Sequence, residues 1–222
     1  TLARVAAGQG ILKAAGRGFE AVLFEEIAGI DAPGAPILLS GMIGSRNGWV
    51  EAPYARCPAD AGALSAGAAR LTARGRALAF VPGLICEDEG GRPDVMRGEE
   101  TQIFGAGLDE ATVVLPGTHS KWARLAGGRV AGFRTYMTGE MFAAMRGHTI
   151  LGALAEGEAE DAEGFAEGAR AGAGEAALSH ALFSARTMAL TGRLPGTAVA
   201  SYLSGLLIGA EIADGARRAA PG

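Results

Sequence analysis

Residues 112–122 constrain the chain more than any other segment. Thr112-Val113-Val114-Leu115 is β-branched and apolar, suited to an interior strand, and it must stop at Pro116 because proline cannot donate to a ladder. Gly117-Thr118-His119-Ser120 then turns the chain, and residues 121–125 and 129–136 flank Gly127-Gly128, which predicts a hairpin. Two more apolar runs, Ile37-Leu38-Leu39 and residues 78–81, read as strands, the first of them buried. Residues 1–28 read as helix, with Leu2, Val5 and Ala6 on one face and a break at Gly16–Gly18. Residues 59–70 and 176–190 read as further helices, and residues 94–108 as a loop running into one. From Gly139 onward the chain turns helical. Residues 156–174 are rich in Ala, Glu and Gly and poor in large apolar side chains, which predicts a surface helix or mobile connection. Leu203, Leu206, Leu207 and Ala210 form the apolar face of a last helix. Strands mixed with helices give an α/β protein with a helical second half.

A length of 222 residues allows one large domain or two small ones. The expected division is residues 1–110 and 111–222. A formal charge of −4 disfavours a nucleic-acid partner, while local Arg and Lys placement leaves an anionic small molecule open. Cys57 and Cys86 lie outside any Cys-x-x-Cys pair, which speaks for a reducing compartment and against zinc. No run of about 18 apolar residues suggests a membrane span, and no basic flank leads into an apolar leader. The expectation is a cytoplasmic protein with no membrane partner, homo-oligomerisation being left open.

Four segments carry polar side chains in patterns that could do chemistry. In Gly117–Lys121, the glycine lets backbone amides approach a ligand, Thr118 and Ser120 offer hydroxyls, and Lys121 offers a charge beside His119. Such a turn suits phosphate oxygens, and a plain polar hairpin turn would look the same. In Arg97-Gly98-Glu99-Glu100-Thr101-Gln102, paired carboxylates sit beside an arginine where a helix starts. One of them could accept a hydroxyl proton, or both could simply favour the helix N-terminus. Adjacent acids do not share a helix face, so only one is expected to reach a substrate. In the loop 41–54, Arg46 could hold a carboxylate, Asn47 and Glu51 could bond hydroxyls, and Trp49 could lie against a sugar face. An ordered loop pinned by buried Trp49 and Tyr54 is the alternative. Finally, Thr138 reads as an N-cap and Glu140 as a first-turn acid. His148 and His180 lie in helical surroundings, and no His/Cys/Asp cluster has metal spacing. Walker, Rossmann and Gly-x-Ser-x-Gly patterns are absent from the sequence, which argues against those nucleotide folds and against a serine hydrolase.

Several strings, in order, resemble the 2-dehydro-3-deoxygalactonokinases, sugar-acid kinases of the actin, hexokinase and Hsp70 superfold. They are Gly-Met-Ile-Gly-Ser-Arg-Asn-Gly-Trp-Val-Glu-Ala-Pro-Tyr (41–54), Val-Pro-Gly-Leu (81–84), Asp-Val-Met-Arg-Gly-Glu-Glu-Thr-Gln (94–102) and Leu-Pro-Gly-Thr-His-Ser-Lys-Trp (115–122). Residues 133–142, 182–186 and 202–211 continue the match. The resemblance implies a ribonuclease-H-like α/β fold and ATP-dependent phosphorylation of 2-dehydro-3-deoxy-D-galactonate at its 6-hydroxyl, with Mg. It implies that Gly117–Ser120 is the second phosphate-binding loop, with Lys121 facing ATP. It implies that Glu99 or Glu100 is the catalytic base, Glu100 being slightly preferred. Arg97 and the Arg46–Glu51 loop are then the candidates for holding the sugar acid, a role resting on their chemistry. Such kinases begin with an Asp-x-Gly-Thr-type strand–turn–strand and end with a Gly-rich adenosine segment. Neither string occurs in residues 1–222, so the fold is expected to lack elements at both ends. That expectation keeps open a second reading, a non-catalytic sugar-acid-binding or regulatory module without its nucleotide loops.

Overall fold

The computed structural model describes residues 3–8, 10–30, 32, 34–157, 160–174 and 177–219. Two short helices come first, α1 (Ile11–Arg17) and α2 (Phe19–Ile27), parted at Gly18, whose φ of 85° ends one and starts the other. Of the helix expected over residues 1–28, the described residues are helical only from Ile11 onward. Leu2 lies outside the described residues, and Val5 and Ala6 are exposed in non-helical chain. Val5 and the small alanines ahead of Gly8 and Gly10 give a first turn too little burial to offset the cost of nucleating it.

Next come β1 (Ile37–Leu39), a 3₁₀ turn at Met42–Gly44, β2 (Ala55–Arg56), α3 (Ala61–Gly67), β3 (Ala69–Ala73) and β4 (Arg76–Phe80). β3 and β4 form a hairpin through Arg74 (φ 47°) and Gly75 (φ 72°), the left-handed pair that a tight two-residue turn needs. The helix read over residues 59–70 thus stops at Gly67, and Ala69 already belongs to the hairpin. β4 also pairs in parallel with β1, giving the order β1-β4-β3. β1 is an edge strand, and Leu38 is 71% exposed, so the run is not the fully buried strand expected. Under this sheet Leu78, Phe80, Ala52 and Ala73 form a core, with Leu23 and Phe24 of α2 packed against it.

β5 (Leu84–Glu87) and β6 (Pro93–Met96) form a second antiparallel hairpin, to which β2 adds in parallel. Asp88 closes its turn, accepting from Gly90 and Arg92 backbone N–H groups and from Arg92 Nε at 2.8 Å. The segment 94–108, expected as loop and helix, is strand up to Met96, and α4 (Glu99–Gly105) follows after two residues. β7 (Ala111–Leu115), β8 (Ser120–Ala126) and β9 (Arg129–Tyr136) make a third sheet in that order. β7 lies at its edge with Thr112 and Val114 exposed, so it is half-solvated rather than interior.

The remaining elements are α5 (Thr138–His148), α6 (Ala162–Gly174), α7 (Leu178–Leu190) and α8 (Gly196–Ala219). The chain divides into two compact units, residues 1–113 with 123–133 and residues 114–122 with 134–222. In the second unit Val199, Leu203, Leu206 and Leu207 of α8 pack with Leu182 and Ala185 of α7. Tyr202 is buried there and its hydroxyl lies 2.9 Å from Ser184 Oγ. α8 is, among the described residues, the helix long and apolar enough to cross a membrane; half of its apolar window is buried in this core.

α6 corrects the expectation of a surface helix or mobile connection. Gly164, Gly168 and Gly172 form a buried stripe, one residue per turn, facing Gly205 and Gly209 of α8. A Cβ at Gly168 would collide with the Tyr202 carbonyl, one at Gly172 with that of Leu206, and one at Gly209 with that of Ala169. The backbones touch, so the absence of large side chains is what joins the two helices. The start of α6 is fixed by Asp161, whose carboxylate accepts the Gly164 N–H at 2.7 Å while its own N–H bonds Ser201 Oγ.

Candidate functional site

In the first unit the candidate chemistry gathers where β6 hands over to α4. Gly98 precedes the helix at φ 112°, and a Cβ there would stand 3.2 Å from the Gly41 Cα. Only glycine allows both the turn and that approach. The turn is then fastened from inside. Glu100 is fully buried; its Oε2 accepts the Gly98 N–H at 2.6 Å, and its Oε1 accepts Thr101 Oγ1 at 3.2 Å and Ser40 Oγ at 3.4 Å. Ser40 and Thr101 hydroxyls also meet at 2.5 Å. Burial pushes the Glu100 carboxyl up; the Gly98, Glu100 and Thr101 donors work against this, and neighbouring Glu99 adds to it. Glu99 is half-buried, and its Oε2 accepts the Arg97 N–H at 3.1 Å. The two acids do point to different faces, one sealed and one reaching the surface.

Arg97 lies between this turn and the 41–54 loop. Its Nη2 donates to the Ala52 carbonyl at 2.8 Å, and its guanidinium covers the Tyr54 ring at 4.4 Å. Its Nε and Nη1 are buried with no hydrogen-bond partner among the described residues. Such orphaned donors are costly and call for an acceptor or an ordered water. The loop itself is internally bonded: Trp49 N–H reaches Ile43 O and Ala52 N–H reaches Gly44 O, both at 2.9 Å. Arg46 and Glu51 stand on its surface 3.7 Å apart, with Asn47 exposed beside them. Trp49 is not laid out as a platform; its ring meets Phe80 edge-on at 5.8 Å and joins the sheet's core. Tyr54, expected as a buried pin, is exposed and serves Arg97 instead.

Cys57 follows β2 and bonds Ile85 O through its N–H at 2.9 Å, beside Cys86. Burial, with the adjacent Cys86, pushes the Cys57 thiol up to about 12. Since only the thiolate is nucleophilic, native protein at pH 8 should take up iodoacetamide far more slowly than the same protein in urea. Equal rates by mass spectrometry would contradict this placement.

In the second unit, the turn after β7 leaves Gly117, Thr118 and His119 exposed, while Ser120 and Lys121 are buried. α5 starts against it. Glu140 N–H donates to Thr118 O at 3.0 Å, and a Cβ on Gly139 would come within 2.6 Å of Gly117 O. His119 Nε2 lies 2.5 Å from Glu140 Oε2, both side chains half exposed. Lys121 Nζ donates to His119 O at 3.2 Å, folding the chain back under the turn. Thr138, expected as the α5 N-cap, is already inside the helix; Met137 occupies that position, and Thr138 Oγ1 bonds Glu211. A largely apolar cleft of about 390 Å³ opens beside the turn, walled by Pro116, Gly117, Phe142, Leu207 and Ile208.

Sequence reasoning missed Ser40 and Glu211. Glu211 carried a signal, a lone carboxylate in the apolar run 203–212, because a buried acid must find donors. Ser40 carried none, since it meets Glu100 only through the tertiary fold. His148 and His180 are exposed, and among the described residues no three His, Cys, Asp or Glu gather as a metal site.

The first unit thus presents a carboxylate pair at a glycine-turned helix start, and the second a Gly-Thr turn backed by a helix. The comparisons agree on a carbohydrate kinase: the family profile described as 2-keto-3-deoxy-galactonokinase matches residues 1–221. The chain belongs to that family. A Rhizobium meliloti (strain 1021) protein named "Probable 2-dehydro-3-deoxygalactonokinase DgoK1" is 42% identical over 224 residues, 96% of this chain and 72% of that one. The 2-dehydro-3-deoxygalactonokinase of Escherichia coli (strain K12) is 36% identical over 207 residues, 92% of this chain and 70% of its own. The crystal structure of a Sinorhizobium meliloti protein assigned as a 2-dehydro-3-deoxygalactonokinase matches with a TM-score of 0.88 and 38% identity. It covers 97% of this chain and 74% of that one.

Proposed function

We propose that the protein transfers the γ-phosphoryl group of ATP to the 6-hydroxyl of 2-dehydro-3-deoxy-D-galactonate. The observation that carries this is the arrangement at α4, where the Gly98 turn holds the Glu100 carboxylate inside and leaves that of Glu99, one residue earlier, reaching the surface. In this reading Glu99, and not the Glu100 slightly preferred from the sequence, takes the hydroxyl proton, and Glu100 holds the turn that presents it. Arg97, with two donors unclaimed among the described residues, and Arg46, Asn47 and Glu51 on the adjacent loop suit an acid rich in hydroxyls. Trp49 braces that loop from the core side. Gly117, Thr118 and His119 take the ATP phosphates, while Ser120 and Lys121 support the turn from below. Positioning and charge neutralisation supply most of the rate, as phosphoryl transfer asks little covalent chemistry of a protein. With no cluster of three ligands among the described residues, Mg fits as an ion carried by the ATP phosphates, where it neutralises charge.

We read the fold as the actin/hexokinase type, with residues 1–110 serving the sugar acid and 111–222 the phosphates. The relatives carry an enzyme's name, which favours the kinase over a non-catalytic sugar-acid module. The test is ADP release by the full-length protein with ATP, Mg and either 2-dehydro-3-deoxygalactonate or its gluconate epimer. Turnover with the galactonate compound is the expected result. A folded protein inert towards both would sink the proposal.

A further inference from the structure

Glu211 belongs to no part of the reading above, yet it is among the most heavily bonded side chains of the second unit. It lies on α8 and is buried. Its Oε1 accepts Ser120 Oγ at 2.6 Å and Trp122 Nε1 at 2.8 Å, and its Oε2 accepts Thr138 Oγ1. Those donors are 91, 89 and 73 residues away in sequence, so one carboxylate fastens three separate places to a single helix. Two of the places, Ser120 and Trp122, are the outgoing side of the Gly117–Ser120 turn. The third, Thr138, opens the helix whose next residues back that turn, through Gly139 against Gly117 and Glu140 N–H on Thr118 O. One turn further along α8, Asp214 accepts the Tyr136 hydroxyl at 2.8 Å and is itself held by Arg217 and Arg218. The Trp122 and Tyr136 rings meet edge-on at 6.4 Å between the two acids.

The surroundings make this more than a core contact. A buried carboxylate accepting three hydrogen bonds cannot shift without leaving several groups unsatisfied, which fixes distance as well as connectivity. The Ser120 hydroxyl is thereby committed to α8 and turned away from solvent. The exposed edge of the turn is left to Gly117, the Thr118 hydroxyl and His119.

We infer that Glu211 is a positioning residue for the nucleotide: it sets the height and tilt of the Gly117–Ser120 turn from beneath, without touching ATP. The inference rests on reading that turn as the phosphate loop. Glu211→Ala in the full-length enzyme should raise the KM for ATP, or lower kcat, by about tenfold to a hundredfold, the scale of a small misplacement of a binding group. The KM for the sugar acid should stay within about twofold, because its candidate residues lie in the other unit. Glu211→Gln should recover most of the loss. Its amide oxygen still accepts Ser120 and Trp122, and its NH₂ can donate to Thr138 Oγ1. A merely structural role would lower both substrates' performance together and would show no such split.

Ser120→Ala, which removes a single donor, guards against a Glu211→Ala protein that fails to fold. It should raise the ATP KM several-fold with circular dichroism unchanged. Thr118→Ala separates the two layers of the argument. If Thr118→Ala weakens ATP but folded Glu211→Ala and Ser120→Ala do not, the positioning role is wrong and the phosphate turn stands. If none of the three moves the ATP KM, the phosphate turn itself is wrong and the inference goes with it.

Discussion

Glu99→Gln is expected to lower kcat by about 10²–10⁴-fold with little change in the KM for ATP, the signature of a lost general base. The reason lies in the contrast between two adjacent acids. Glu100 has no exposed surface and its oxygens are taken by Gly98, Thr101 and Ser40. A hydroxyl cannot approach it without dismantling the turn. Glu99 keeps part of its surface in solvent one residue earlier, on a different face of α4. Glu100→Gln should therefore fold and retain far more activity than Glu99→Gln. Its amide oxygen can still accept the Gly98 N–H, and its NH₂ can donate to the Ser40 and Thr101 hydroxyls. Burial holds the Glu100 carboxyl above its ordinary value of 4.5, so the folded state keeps that proton more tightly than the unfolded chain. Stability contributed by this group is present below pH 4.5 and falls as the pH rises through the raised value. Glu100→Gln should remove that decline, read as a flatter urea midpoint between acid and neutral pH. Collapse of turnover in Glu100→Gln alone, with Glu99→Gln active, would reverse the assignment.

The second large effect concerns stability. Gly168→Ala should destabilise the protein by about 2 kcal/mol, although alanine is the better helix former by about 1 kcal/mol. The added methyl meets the Tyr202 backbone carbonyl of α8 and not a side chain that could rotate away, so the helices must separate. Overpacking of this kind costs about 1–3 kcal/mol or more, and here the separation also loosens the packing at Gly172, Gly205 and Gly209. Gly147→Ala in α5 is the control. Among the described residues nothing beyond its own helix backbone and chain neighbours lies within 4 Å of its Cβ position, so the propensity gain should appear unopposed. Denaturant titration of both variants decides the matter: if Gly168→Ala matches Gly147→Ala, the close contact of α6 and α8 is not maintained in solution.

Local chemistry made some of this legible in advance. The Gly127-Gly128 hairpin, the stop at Pro116, the helix after Gly98 and the apolar face of α8 lie where the residues put them, because each depends on neighbours a few positions away. The Arg74-Gly75 turn had its own signal, an arginine–glycine pair between Leu71 and Leu78, but the helical appearance of the alanines before it masked β3. The strings at 94–102 and 115–122 pointed to the family and to the two segments now read as base and phosphate turn. The sequence by itself determined the family, the hairpins and which polar segments could act. Only the tertiary structure decided that a glycine-rich stretch is a packed helix and that Trp49 faces Phe80. It also decided that Ser120 is committed to Glu211, and that of two neighbouring glutamates one is sealed and one open. The physical reason is that burial and hydrogen-bond partnership are set by groups distant along the chain, as with the 60 residues between Ser40 and Glu100 and the 91 between Ser120 and Glu211, and no local pattern encodes them.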